Sequence, residues 1–216
     1  MKNFPKKKVK IAVLVGQLTH LGGVGIAAVN EVRELRKMGY DAELVVLFRK
    51  KEFDSQKIFK ANDIPLIFFS DDLPRFLRIN FKFPFFAFFS FFHLSAVVYA
   101  PFLVKKRGYQ TIICHETYNC LAAIAAKKYT GAKLISFIWD PASYIVPRVY
   151  GQGRLKFLMP VLKQLASSLD KFILKNSEVV LLCSSLHQKA LASLNQKTKL
   201  IKVFPCLLYT SDAADE

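Results

Sequence analysis

The sequence predicts an α/β protein with a Rossmann-like parallel sheet and helices on both faces. Short apolar runs, most of them rich in β-branched side chains, alternate with longer segments whose apolar residues recur at helical spacing. The short runs are apolar at successive positions, as in strands that are buried on both sides of a sheet. Strands that alternate with helices form βαβ units with right-handed crossovers, and such units build a parallel sheet.

Six segments are expected to be strands, and they occupy residues 9–16, 42–48, 65–69, 110–114, 133–138 and 178–183. The first helix is expected at residues 24–38, where apolar side chains recur every three or four positions and Gly39 is suited to end the helix. An Ala-rich helix at residues 120–129 should end in the same way before Gly131.

Two further helices are expected in the second half of the chain. Residues 154–175 show a long helical pattern, and Pro160 is predicted to kink this helix because proline lacks an amide hydrogen. Residues 184–194 begin with Ser184, whose hydroxyl is suited to accept a hydrogen bond from the first helical turn.

The loop between the first strand and the first helix contains Gly22, Gly23 and Gly25. Glycines there let the backbone approach a ligand closely, and the N-terminus of the following helix favours an anion. Gly23-x-Gly25-x-x-Ala28 also satisfies the dinucleotide fingerprint, although six residues separate it from Gly16 at the strand end. The loop therefore predicts a phosphate or sugar nearby, and an NADP-binding oxidoreductase domain remains an alternative.

The charge balance limits the classes of binding partner that the chain is expected to have. Thirty-two Lys and Arg stand against 16 Asp and Glu, and three of those acids lie in the last eleven residues, so residues 1–205 carry a formal charge of +19. Such a charge suits nucleic acid, an anionic membrane surface or phosphate-bearing substrates. The basic residues are scattered and no nucleic-acid-reading motif is present, so no nucleic acid partner is expected.

The cysteines and the chain start suggest a location. Cys114, Cys120 and Cys183 are far apart and form no disulfide-like pattern, which favours a reducing compartment. The apolar run after the Lys-rich start is too short for a secretory signal. A cytoplasmic protein is expected, and no metal is expected because no cluster of His, Cys and carboxylates has metal-ligand spacing.

Residues 83–104 are rich in Phe, lack charged side chains and are flanked by basic residues. Their 22 residues are enough to span a bilayer. A single span would place the third and fourth strands on opposite sides of the membrane, so one sheet could not form. A buried core helix is one alternative, and an interfacial helix on an anionic bilayer is favoured. The residues expected to contact the membrane are Phe85, Phe86, Phe88, Phe89, Phe91 and Phe92.

The segment KIAVLVGQLTHLGGVGIAAVNEVRELRKMGYDAELVVL resembles the opening of a glycosyltransferase family 4 enzyme. Similar features follow in order. They are an aromatic-rich helix, His115-Glu116 after the fourth strand, an Asp-Pro turn after the fifth, EVVLLCSSLHQKAL, and KLIKVFP. The resemblance covers nearly all of residues 9–205 and implies the N-terminal, acceptor-side half of a GT-B fold, truncated before the donor-binding domain.

The resemblance also implies an activity, namely transfer of a sugar from a nucleotide-sugar donor, with retention and without a metal or other cofactor. Gly22, Gly23 and Gly25 would lie near the donor diphosphate, and His115 and Glu116 would lie at the mouth of the acceptor site. A lipid-linked or glycan acceptor is expected, in cell-envelope glycan synthesis on the cytoplasmic face of the membrane. A non-catalytic membrane-docking module is a further alternative.

One position departs from the family pattern. The family often places a His after the fifth strand, whereas this chain has Asp140 followed by Pro141. Asp140 is therefore the candidate for acceptor binding and catalysis, although an Asp before Pro is equally a turn signal.

The last eleven residues, CLLYTSDAADE, resemble the translation of a sequencing-library adapter. The expected organisation is an acceptor-side domain at residues 1–205 followed by a non-native tail at residues 206–216. An ordinary frayed C-terminus is the alternative. Without a donor domain, the chain alone is expected to lack transferase activity.

Overall fold

The structure is a computed structural model that describes residues 8–18, 23–48, 63–72, 91–151, 156–194 and 198–203. Its centre is a parallel sheet of seven strands in the order β3-β2-β1-β4-β5-β6-β7. The strands are β1 (Lys10–Gln17), β2 (Asp41–Phe48), β3 (Leu66–Phe68), β4 (Thr111–His115), β5 (Lys133–Ile138), β6 (Val179–Leu182) and β7 (Lys199–Lys202). The predicted Rossmann-like α/β fold is confirmed, and β7 is a strand that the sequence analysis did not assign.

The strand order reverses between β1 and β4, and this reversal positions the site. β1 is an interior strand, and its Val13 lies beside Leu44 of β2 and Ile113 of β4. From β1 the chain builds outward through β2 to β3, then returns to the other side of β1 and continues through β4 to β7. A crevice opens beyond the carboxyl ends of the strands at such a reversal, and ligands bind there in folds of this kind.

The helices follow the strands in alternation. They are α1 (Gly23–Lys37), α2 (Phe69–Asp72), α3 (Phe91–Arg107), α4 (Cys120–Thr130), α5 (Ala142–Tyr150), α6 (Met159–Asn176) and α7 (Ser185–Ala192), with a short 3-10 helix at Lys156–Leu158. On one face of the sheet α1 packs Val29 and Val32 against the strands. On the opposite face α3, α4, α6 and α7 contribute to a second buried cluster, for example through Ala100, Ile124 and Ile173. Helices therefore cover both faces, as predicted.

Three predicted helix ends are confirmed. Gly39 after α1 and Gly131 after α4 have φ angles of 91° and 75°, in the left-handed region that glycine adopts without steric cost. At the start of α7 the Ser184 hydroxyl accepts a hydrogen bond from the Leu186 amide at 3.1 Å. These local signals fix where the chain leaves or enters each helix.

Two helix assignments need correction. Pro160 does not kink a helix that begins at residue 154; it lies in the first turn of α6, where no amide hydrogen is needed and where the fixed φ of proline suits the helix. The helix α5 was not predicted, because Pro141 and Pro147 gave this stretch the character of a loop. Pro147 nevertheless lies inside α5.

The described part of the aromatic segment is a helix that packs into the core. Along α3, Ala96, Ala100 and Leu103 are buried, whereas Val98 and Phe102 are exposed. Phe91 and Phe92 begin this helix, but their side chains lie outside the described part of the structure, as do residues 73–90 with Phe85, Phe86, Phe88 and Phe89. Within the described ranges no helix combines the length and apolar character needed to cross a bilayer. Contact of these Phe residues with a membrane stays a prediction, and residues 206–216 also lie outside the described ranges.

Candidate functional site

A pocket of about 230 Å³ lies at the carboxyl ends of β4 and β5, beside the start of α1. Its lining includes Val24 of α1, Glu116, Thr117 and Tyr118 after β4, and Trp139 and Asp140 after β5. The fold thus brings together two of the predicted site residues, Glu116 and Asp140, at the reversal of strand order where a ligand is expected.

The N-terminus of α1 borders this pocket. Gly23 and Gly25 lie in its first turn on either side of Val24, which lines the pocket. The first turn of a helix carries amide hydrogens without intrahelical acceptors, and these favour an anion. Gly22 lies outside the described residues. Binding of the donor diphosphate by the three glycines stays a prediction.

Glu116 is held in an unusual backbone conformation. Its φ angle is 71°, in the left-handed region that residues with a Cβ rarely adopt. Its carboxylate accepts a hydrogen bond from Asn119 Nδ2 at 2.8 Å and another from the backbone of Gly16. Burial raises the pKa of Glu116, and the hydrogen bonds from Asn119 and Gly16 offset only part of that shift. Such strain is characteristic of functional sites.

Replacing Glu116 with Gln should make the chain more stable relative to the native chain as the pH rises. Because the folded state raises the pKa of Glu116, the stability that its protonation provides is complete below the ordinary pKa of 4.5 and is lost as the pH rises through the folded value. Gln stays neutral and keeps an oxygen for Asn119. Urea unfolding from about pH 4 to 8 measures the difference.

Asp63→Asn is the matched control for Glu116→Gln. The pKa of Asp63 is lowered, chiefly by its hydrogen bond to Arg33, so the stability that its charge provides is gained as the pH rises towards 3.8 and is complete above that value. The difference in stability between Asp63→Asn and the native chain should therefore stay nearly constant from about pH 4 to 8. A stability difference between Glu116→Gln and the native chain that shrinks or stays constant with rising pH would contradict the burial of the Glu116 carboxylate.

Asp140 lies at the open side of the pocket with its side chain half-exposed. Its backbone carbonyl accepts a hydrogen bond from the Thr117 hydroxyl at 2.9 Å, which ties the loop after β5 to the loop after β4. Its Oδ1 lies 3.6 Å from Nε2 of His187, too far for a hydrogen bond and within the range of an ion pair. Among the described residues no hydrogen bond occupies the Asp140 carboxylate, so it can accept a hydrogen bond from a hydroxyl of a ligand.

His187 is a neighbour of the site that the sequence analysis missed. Its ring is buried and contacts Tyr144 edge-on, and its Nδ1 has no hydrogen-bond partner among the described residues. A polar ring on the inward side of α7, four residues before the buried Leu191, was the available signal.

Asp170 of α6 is the second residue that was missed, and it fixes the turn that carries Asp140. Its carboxylate accepts hydrogen bonds from the backbone amides of Ala142 at 3.0 Å and Ser143 at 2.8 Å, so it caps the start of α5. Burial raises the pKa of Asp170 despite these bonds with Ser143 and Ala142. Its signal in the sequence was a lone acid on the inward side of a helix.

His115 lies away from this pocket. Its ring lines a separate cavity of about 290 Å³ on the α1 side of the sheet, together with Glu31 and Phe137. The indole N–H of Trp139 donates to His115 Nδ1 at 3.3 Å, so Nε2 carries the proton and donates to Glu31 at 2.8 Å. His115 therefore positions Trp139, a wall of the pocket, and direct contact of His115 with an acceptor stays a prediction.

Replacing His115 with Phe should change the tryptophan fluorescence of the chain. Trp139 is the single Trp of the sequence, so its emission reports this pocket alone. Without the Nδ1 acceptor, the indole N–H loses its partner, and we expect a shifted emission maximum and lower anisotropy. Glu31→Gln, which keeps an acceptor for His115, should leave both close to native. Unchanged emission in His115→Phe would show that His115 does not hold Trp139.

Nothing in the described residues forms a metal site. In those ranges no three His, Cys, Asp or Glu side chains are grouped as metal ligands would be. The polar groups of the pocket are instead a buried carboxyl, an exposed carboxylate and the first turn of a helix. This set suits hydroxyl groups and an anion better than a cation.

Solved structures share this fold. The chain is similar to sucrose-phosphate synthase from Thermosynechococcus elongatus, with a TM-score of 0.61, 11% identity, and coverage of 91% of this chain and 48% of that chain. It is similar to HepE from Anabaena in complex with UDP and glucose, with a TM-score of 0.55, 15% identity, and coverage of 90% and 44%. It is also similar to UDP-N-acetylglucosamine 2-epimerase from Rickettsia bellii, with a TM-score of 0.55, 12% identity, and coverage of 91% of this chain and 44% of that chain.

These similarities show the fold and not the reaction, since one of the three is named as an epimerase. The chain spans less than half the length of each of these proteins. No curated protein sequence matches it significantly.

A sequence model of a protein family identifies the family of this chain. The model for glycosyltransferase family 4 matches residues 21–210, most of the 216 residues. The match contains the start of α1, Glu116 and Asp140, and it favours a transferase over an NADP-binding domain for the glycine loop. The chain belongs to glycosyltransferase family 4.

Proposed function

We propose that this chain is the acceptor-side domain of a retaining hexosyltransferase that uses a nucleotide-sugar donor. The observation that carries the proposal is the meeting of Glu116, Asp140 and the first turn of α1 at one pocket. The helix start supplies a place for the donor diphosphate, and the two carboxyl groups supply acceptors for sugar hydroxyls. The similarity to HepE from Anabaena, which was solved with UDP and glucose, supports a nucleotide-sugar donor.

In the proposed reaction Asp140 orients the acceptor. Its exposed carboxylate accepts a hydrogen bond from the reacting hydroxyl and so holds that oxygen towards the anomeric carbon of the donor sugar. The acceptor oxygen forms a bond to that carbon, and the bond from the carbon to the diphosphate oxygen breaks. The hydroxyl proton passes to the departing diphosphate, whose charge is stabilised by the start of α1.

The acceptor in this proposal is linked to a lipid, and the protein binds peripherally to the cytoplasmic face of a membrane. The excess of basic residues supports an anionic surface as a partner. The pocket is open towards solvent on the side of Asp140, so an acceptor carried on a membrane can reach it.

Asp140→Asn tests the proposal in a protein that joins this chain to a donor-binding domain. We expect kcat for sugar transfer to fall about a hundredfold, because an amide oxygen accepts the hydrogen bond of the reacting hydroxyl less strongly and orients it less well. Glu34→Gln on the exposed part of α1 is the control and should retain activity. Native turnover by Asp140→Asn would remove Asp140 from the reaction.

The 216-residue chain alone should bind ligands without turning them over. Titration with UDP should quench Trp139, whereas NADPH should not. Binding of NADPH without binding of UDP would support an oxidoreductase domain instead. Sugar transfer by the chain alone would show that the site is complete without a second domain.

A further inference from the structure

We propose that the outer surface of α5 and α6 docks on an anionic lipid bilayer. This surface, called the α5–α6 face, consists of Val149, Phe157, Leu158, Val161, Leu165 and Phe172 with the basic residues around them. The inference rests on the membrane-linked acceptor of the proposed function, and it names the surface that contacts the lipid.

The helix α6 is apolar on its inward side and also on part of its outer side. Its inward side carries buried residues such as Leu162, Ala166 and Ile173. Val161, Leu165 and Phe172 follow one another at intervals of four and seven residues, which return to one side of a helix with 3.6 residues per turn. That side faces solvent, and Val161 and Leu165 are 55% and 58% exposed. A solvent-facing helix ordinarily places polar residues there.

The apolar surface extends from α6 to the candidate site. Phe157, in the short 3-10 helix before α6, is 76% exposed, and Val149 near the end of α5 is also exposed. Ile145 of α5 lines the pocket beside Asp140, and Val149 lies one helical turn further along α5. Since α5 packs against α6, the α5–α6 face begins next to the pocket. A bilayer on this face would lie close to the mouth of the pocket.

The exposed charges that the structure describes between residues 142 and 176 are all positive. Residues 142–176 contain a single acid, Asp170, and it is buried under the start of α5. Six basic residues lie in the same stretch, and the five that the structure describes are exposed: Arg148, Lys156, Lys163, Lys171 and Lys175. Large apolar side chains surrounded by cations are typical of helices that lie in the interface of anionic membranes.

A second copy of the chain fits this surface less well. A two-fold dimer would place the α5–α6 face against itself and bring the same lysines towards one another. An anionic bilayer instead supplies negative headgroups for the lysines and acyl chains for Val161, Leu165 and Phe157. The charges therefore favour lipid over self-association.

Sedimentation of the whole chain with vesicles tests the inference. We expect binding to vesicles that contain phosphatidylglycerol and much weaker binding to vesicles of phosphatidylcholine alone. The double variant Val161→Ser, Leu165→Ser should lower the partition coefficient about tenfold. Lys171→Glu with Lys175→Glu should also lower it, and only when the vesicles are anionic. Circular dichroism checks that each variant is folded.

The matched control is Met38→Ser, just after α1, with Tyr129→Ser on α4, whose side chains are 71% and 51% exposed. This control should bind vesicles as the native chain does. Equal binding to neutral and anionic vesicles would overturn the inference, as would native binding by the α6 variant. A dimer in light scattering that the α6 variant dissociates, without a change in vesicle binding, would identify a chain–chain interface and also overturn it.

This experiment is separable from the proposed function because it needs no donor or acceptor. If vesicle binding fails while Asp140-dependent transfer to a soluble acceptor succeeds, only the lipid-contacting surface is wrong. If vesicle binding succeeds while transfer is absent, the surface stands and the proposed reaction fails.

Discussion

Replacing Asp170 with Ala should lower the free energy of unfolding by about 2–4 kcal/mol, because two amide hydrogens at the start of α5 lose their acceptor inside the protein. Asp170 is fully buried and lies under the amides of Ala142 and Ser143. Pro141, which precedes α5, provides no side-chain cap, so no local group replaces the carboxylate. Chemical denaturation measures the loss.

The same substitution should loosen the turn at Asp140 and so weaken ligand-induced quenching of Trp139. Asp63→Ala is the control. Asp63 forms an exposed ion pair with Arg33, so its replacement should lower the free energy of unfolding by at most about 1 kcal/mol. If Asp170→Ala were no more destabilising than Asp63→Ala, the capping of α5 by Asp170 would contribute little to the fold.

Gly16→Ala is expected to lower the free energy of unfolding by about 1–3 kcal/mol, because the added methyl group would overpack a filled space. A Cβ at Gly16 would lie 2.9 Å from Glu116 Oε2 and 3.0 Å from Asn119 Nδ2. The amide of Asn119 is buried and donates to the backbone carbonyl of His115 at 3.0 Å, so it cannot move away without losing that bond. The Glu116 carboxylate should shift instead, and the pocket should change shape.

A double-mutant cycle isolates this contact. In a Glu116→Ala background the carboxylate is gone, so Gly16→Ala should cost less than it does in the native chain. The free energies of unfolding of the four proteins give the coupling energy directly. A cost that is the same in both backgrounds would show that Glu116 and Gly16 are not in steric contact.

The sheet was predictable because its signal is local. Buried parallel strands are continuous apolar runs, and six of the seven strands follow that pattern. β7 was missed since its sequence, Lys-Leu-Ile-Lys, is short and half charged. The positions of Glu116 and Asp140 were predictable for the same reason, as each follows the end of a recognisable strand.

The contacts around the pocket were not predictable from local pattern. Asp170, His187 and Glu31 reach the site from helices that are distant in sequence, so their roles depend on which way each helix faces. His115 was placed at the acceptor mouth because it follows β4, yet the alternation of side chains along a strand turns its ring to the α1 side of the sheet. His115, the last residue of β4, therefore lines the cavity on the α1 side, whereas the next residue, Glu116, lines the pocket.

The two edges of the sheet bear on how the chain behaves at high concentration. An exposed edge strand offers unpaired backbone groups to another molecule and promotes aggregation. Among the residues that the structure describes, one edge is β3, which is only three residues long, and the other is β7, which begins and ends with Lys199 and Lys202. A short edge and a charged edge both discourage strand addition between molecules. The described edges of the sheet that builds the pocket therefore discourage its growth into fibrils.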